Sequence, residues 1–119
     1  MKYTDILKIN KRLNYNKKKS VNLNILSNIT LHPLKDYLNF YLKDSEVFFN
    51  ININNYNNIV QESSSLKNSE VVIIFWEAFN FVENFNIEIN FYNKKKLLEL
   101  EKHIKSQIKL IIDNTSDIP

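Results

Sequence analysis

Ser27, Asn28, Thr30 and His32 crowd into six consecutive residues and bring two hydroxyls, an amide and an imidazole to one short joint. A serine hydroxyl becomes a nucleophile only when a base takes its proton. His32 is placed to donate to a bound ligand, although a histidine in such a position more often faces solvent. Glu77, which follows a later apolar run, is the acidic candidate for the same crevice. The second histidine, His103, lies between Lys102 and Lys105, off the apolar face of a long helical pattern, and reads as solvated. Two isolated histidines with no carboxylate at ligand spacing give no metal site. The chain contains no Cys and no Gly. It therefore has no thiolate ligand or nucleophile, no disulfide and no glycine-built phosphate loop.

The elements that must position these residues can be read from hydrophobic spacing. Residues 22–27 form an apolar run that reads as a first strand, ending at Ser27 and Asn28. Thr30 is then a fitting N-cap for a helix over 31–42 with Pro33 in its first turn, where a missing N–H costs nothing. Leu31, Leu34, Leu38 and Leu42 make the apolar stripe of that helix. Residues 45–54 alternate apolar and polar with a period of two, which predicts a half-buried edge strand. Residues 56–62 read as a short helical turn, closed by Ser63, Ser64 and Ser65. Residues 71–76 are apolar on both faces and predict a central parallel strand. An amphipathic helix is expected over 4–13 with Thr4 as its cap. Residues 79–91 read as an aromatic loop with one helical turn, and residues 93–113 as a long unbroken helix. Strand and helix alternate, so parallel βαβ units with right-handed crossovers follow, in the order 2-1-3. The expected fold is a single α/β domain of three layers, flavodoxin-like or SGNH-like, with a βαβαβ core over 22–76. It stops short of a fourth strand, as though cut at a boundary near residue 119. Ligands in open α/β sheets bind at the carboxyl ends of strands, so the 27–32 joint and Glu77 should share one rim.

Composition narrows the function classes. At 119 residues the chain is one domain, and 24% charged and 44% apolar residues are ordinary for a globular fold. Asn, Lys and Ile make up more than two-fifths of the chain. This is the bias of an AT-rich genome, so the Asn-rich tract 50–58 reads as codon drift rather than as a prion-like segment. The net charge of +3 and the triplets Lys17–Lys19 and Lys94–Lys96 lack interleaved aromatics, which disfavours nucleic acid. No apolar run approaches a membrane span and no signal-peptide core is present, so a cytoplasmic location is the expectation.

Residues 26–34, Leu-Ser-Asn-Ile-Thr-Leu-His-Pro-Leu, followed by Tyr37-Leu38, resemble the first strand–helix joint in the N-terminal domain of FkbH-like proteins. Residues 55–62 resemble that domain's turn ending in Gln-Glu. Residues 69–74 stand where the family usually has Pro-Asp before an apolar strand. The resemblance covers roughly residues 23–76. It implies an SGNH-hydrolase-like domain that works with a haloacid-dehalogenase-like domain, in cis or in trans. That system loads a glyceryl unit onto an acyl carrier protein in polyketide or surface-glycan biosynthesis. The aspartate nucleophiles of the family belong to the second domain, and no Asp-x-Asp motif occurs here.

In active SGNH-like proteins a Ser after the first strand is the nucleophile, a Gly and an Asn build the oxyanion hole, and a late Asp-x-x-His supplies the base. By that resemblance Ser27 holds the nucleophile's place. This chain has no Gly and no His after His103. The leading expectation is therefore a non-catalytic recognition or docking domain with Ser27, Asn28, Thr30, His32 and Glu77 as ligand contacts and no cofactor or metal. The alternatives are an SGNH-type esterase or acyltransferase using Ser27, and a small basic nucleic-acid-binding domain.

Overall fold

Alternation along the first strand decides the architecture. In the computed structural model, which describes residues 1–13, 19–66, 68–82 and 84–118, strand β1 is Lys19–Ser27. Leu23 and Ile25 point to one face of the sheet, while Asn22, Asn24 and Leu26 point to the other. Strand β2 (Val47–Ile53) pairs with β1 in parallel, with Leu23 opposite Ile51 and Asn24 opposite Asn52. Strand β3 (Val71–Phe75) pairs with the other side of β1, again in parallel. The sheet order is 2-1-3, as the half-polar pattern of residues 45–54 requires.

The middle of one face is apolar. Leu23, Ile25 and Ile51 are buried there and meet Leu34 and Leu38 of helix α2 (Leu34–Tyr41), with Phe49, Val71 and Ile73 closing the layer. Helix α1 (Tyr3–Asn10) lies against α2, where the Tyr3 hydroxyl donates to the Asp36 carboxylate and the Asn10 amide to the Asp36 carbonyl. The opposite face is divided. Its β1/β3 half holds a second cluster: Leu26, Ile59 of helix α3 (Ile59–Ser63), Leu66, and Ile111 of the C-terminal helix. Burying each such aliphatic side chain stabilises the fold by roughly 1.5–3 kcal/mol.

The β1/β2 half of that face is polar instead. Asn50 donates to Asn22 at 3.1 Å and Asn52 to Asn24 at 2.9 Å, so the paired register creates a two-rung amide ladder. The inner ends of both rungs are anchored. Asn22 donates to the Asn68 carbonyl and Asn24 to the Ser69 hydroxyl. The third layer therefore covers only part of the sheet.

Residues 78–80 form a 3₁₀ turn, Phe85–Glu88 a one-turn helix α4, and Ile89–Phe91 a second 3₁₀ turn. Helix α5 (Lys94–Thr115) follows, capped by Asn93, whose side chain accepts from the Lys96 amide. At 1.5 Å per residue its 22 residues span about 33 Å. Only Ile111 of this helix is buried. The Cα radius of gyration, 18.0 Å, exceeds the ~13–14 Å of a compact chain of this length, because α5 extends along the molecule rather than folding over it. Among the described residues no helix is long and apolar enough to cross a membrane.

Three sequence expectations are corrected. The helix expected over 31–42 begins at Leu34 with Pro33 as its N-cap, and Thr30 makes no capping bond. Proline disfavours helical geometry in the residue before it, so His32 stays outside and Leu31 accepts from the Leu34 amide in a preceding turn. The strand expected in the middle of the sheet, β3, is an edge strand among the described residues. It is apolar on both sides because its alternate residues join two clusters, Val71 and Ile73 in one and Val72 in the other, while Ile74 stays exposed. The N-terminal helix starts at Tyr3 rather than Thr4 and ends at Asn10. The Asp5 carboxylate accepts from the Lys2 amide, which places Lys2 at the N-cap.

Candidate functional site

Ser27 and Asn28 close β1 and point to different tasks. The Asn28 amide N–H continues the β1–β3 ladder by donating to the Phe75 carbonyl at 3.2 Å. Its side chain, with no exposed surface, donates from Nδ2 to the Glu77 carbonyl at 2.8 Å and accepts the Glu77 N–H on Oδ1 at 2.7 Å. The Asn28 carbonyl accepts from Asn80 Nδ2 at 2.9 Å. Every polar group of Asn28 is thus spent on holding β1 to the exit of β3. The same Asn80 amide group donates to the Glu77 carboxylate at 3.0 Å. Glu77 lies across from Asn28, as adjacent parallel strands require, and its side chain is exposed and turned to Asn80.

Ser27 is also buried, at 3% exposure. Its Oγ accepts the Ile29 N–H at 2.9 Å and donates to the Ile29 carbonyl at 2.8 Å, which closes a tight turn. Its own carbonyl accepts the Asn57 N–H at 2.9 Å. A hydroxyl whose proton is already given to a backbone carbonyl is not poised for attack on a substrate.

Toward β2 the rim opens. Ser27, Thr30, His32 and Lys35 form one wall of a cavity of about 450 Å³, and Asn52, Asn54, Asn55 and Tyr56 at the exit of β2 form the other. This falls within the ~300–1,000 Å³ typical of ligand sites. Asn55 is held by Glu62, which accepts from both its amide N–H and its side chain. The residues lining this cavity include no carboxylate; Lys35 is the one full positive charge, and His32 is exposed.

Ser27, Thr30 and His32 are therefore brought together at one cavity, whereas Asn28 and Glu77 belong to the lock on the other side of β1. The sequence reading omitted Lys35, Asn52, Asn54, Asn55 and Tyr56. Their signal was present in the 50–58 tract: alternate asparagines leading off an edge strand, then a lone tyrosine. Of the lysine triplets, Lys94–Lys96 are exposed on the first turn of α5, where Lys96 sits 4.0 Å over the Tyr92 ring. Lys17 and Lys18 lie outside the described residues, as does Glu83. His103 is exposed and faces Gln107 within its own helix. The described residues contain no group of three or more His, Asp or Glu side chains arranged to hold a metal ion.

Two further cavities adjoin the rim. One of about 520 Å³ shares Tyr56 and is walled by Phe79, Asn80 and Asn84. A smaller one of about 170 Å³ lies under the stacked rings of Trp76 and Phe81, whose centroids are 4.4 Å apart. Comparison of the chain with protein-family models, with curated proteins and with solved structures finds no match.

Proposed function

We propose that this chain is a non-catalytic recognition domain whose ligand surface is the carboxyl rim between β1 and β2. In this reading it docks an acyl carrier protein for a haloacid-dehalogenase-like transferase, in cis or in trans, in an FkbH-like system. The observation that supports it is the pairing of an open, carboxylate-free cavity with a serine whose hydroxyl is committed to the Ile29 backbone. A site built this way can hold a ligand, and Lys35 and His32 suit the acidic surface or phosphate of a carrier. Among the described residues that line it there is no carboxylate to pair with His32 as a base for Ser27. The joint at residues 26–34, on which the family resemblance rests, is also the segment that walls this cavity.

Calorimetric titration with a phosphopantetheine-bearing acyl carrier protein tests the reading. Saturable binding that Lys35→Glu weakens at least tenfold supports it; no binding, or equal binding by the variant, contradicts it. The esterase alternative is tested separately with a fluorophosphonate probe. The docking reading expects no labelling of wild type, and labelling abolished by Ser27→Ala would replace it.

A further inference from the structure

We propose that the same rim takes a neutral polyhydroxylated ligand, an oligosaccharide chain, laid across Tyr56; this rests on reading the rim as a recognition surface. Tyr56 lines both the 450 Å³ and the 520 Å³ cavities, so the two flank one exposed ring. Of the 18 residues lining the pair, with Tyr56 counted once, 7 are Asn, against 20 of 119 in the whole chain. The enrichment is more than twofold.

The chemistry of that lining selects a ligand class. An Asn side chain offers donors and an acceptor together, which is what a sugar hydroxyl requires of its partner; Asn52, Asn55 and Asn80 already donate within the fold, so Asn57, Asn84 and Asn86 carry this contact. Tyr56 and Phe79 are 60% and 58% exposed, so aromatic surface is offered at both cavities for the C–H face of a pyranose, with the Phe79 ring set against Phe85 at 5.9 Å. Among the described residues the lining contains no Asp or Glu and a single Lys, at one end. A polyanion such as RNA would find too few cations, since phosphate neutralisation supplies most of its affinity.

The test uses cellohexaose and chitohexaose as neutral probes, read by saturation-transfer NMR and by tyrosine and tryptophan fluorescence. Binding of at least one probe is expected, unchanged between low and high salt. Loss of one ring face should weaken it on the order of tenfold in Tyr56→Ala and again in Phe79→Ala, with Tyr56→Trp retaining it. Both positions are exposed, and a preserved amide NMR spectrum checks that each variant is folded. Failure of both probes at millimolar concentration, or undiminished binding by the double alanine variant, overturns the proposal. So does salt-sensitive binding of oligouridine in place of the sugars. If the sugars fail while the carrier protein still binds, the ligand class falls and the docking reading stands; if the sugars bind and the carrier does not, the reverse holds.

Discussion

The two sides of β1 at its carboxyl end are built in opposite ways. Toward β3, Asn28 acts as a side-chain extension of the ladder, with two short hydrogen bonds to the Glu77 backbone and a third contact from Asn80. Toward β2, one step away in sequence, Ser27 turns its hydroxyl back on Ile29, and backbone bonds from Asn54 to Ile25 and from Asn57 to Ser27 hold the chain beside a 450 Å³ cavity. Side chains stitch the β3 side of the rim; on the β2 side backbone bonds hold the sheet and the rim stays open. The difference shows that neighbouring polar residues at a strand end need not share a task.

The largest effect is expected from breaking the stitch. Asn28→Ala removes two hydrogen bonds and leaves the Glu77 N–H and C=O without their partners, at a cost of about 2–4 kcal/mol. Urea unfolding monitored by Trp76 fluorescence should show the lower midpoint. Asn28→Asp sharpens the point through pH. Its buried carboxylate would still accept the Glu77 N–H but would face the Glu77 carbonyl, so its folded-state pKa should be raised. A raised acid pKa means that stability is lost as pH rises from the unfolded-state value through the folded one. The variant should therefore unfold at lower urea at neutral pH than at mildly acidic pH, by more than wild type does.

On the open side the effects should be smaller. Ser27→Ala releases the Ile29 turn and should cost about 1–2 kcal/mol, without changing reactivity toward fluorophosphonate. The amide ladder allows a cycle. Asn24→Val strands Ser69 and Asn52 and should cost about 1 kcal/mol. Asn52→Val, on the exposed outer rung, should stay within about 0.5 kcal/mol. The double variant should be less destabilised than the sum, because neither partner is left unpaired. Equal additivity would mean that the ladder does not act as a unit.

The smallest effect is expected furthest from the sheet. On α5, Lys105 hydrogen-bonds Glu101 and holds its carboxyl below the usual carboxylate range. Lys105→Gln should return the Glu101 titration midpoint upward, as seen by carboxyl ¹³C NMR, while leaving the melting temperature where it was. The pair is solvent-exposed, and such pairs contribute little to folding.

Much of the frame was legible in the sequence, because sheet order follows from which strands can be buried on which faces. Alternation over residues 45–54 placed β2 at an edge, and the apolar runs at 22–27 and 71–76 put β1 and β3 side by side. The reasoning failed where a local signal had two causes. Residues 71–75 are apolar because they join clusters on both faces of the sheet, and a central position gives the same pattern. Asn22, Asn24, Asn50 and Asn52 are functional partners of one another across strands, yet singly each looks like codon bias. Only the register, Asn22 opposite Asn50 and Asn24 opposite Asn52, reveals the ladder. The start of α2 was missed because Thr30 was weighed as a cap before the restriction that Pro33 places on His32. The separate roles of Ser27 and Asn28 depend on which way two adjacent side chains turn, and alternation along a strand gives that only once the neighbours of the strand are known.

The central claim is that the open side of β1, and not the stitched side, meets the ligand. A ¹⁵N-labelled amide NMR titration of the full chain with the phosphopantetheine-bearing carrier protein tests it most directly. The account predicts that shifts cluster at residues 29–35 and 52–56, with Phe75, Glu77 and Asn80 little changed. Absence of shifts at saturating carrier, or shifts centred on residues 75–80 with 29–35 and 52–56 silent, would contradict it.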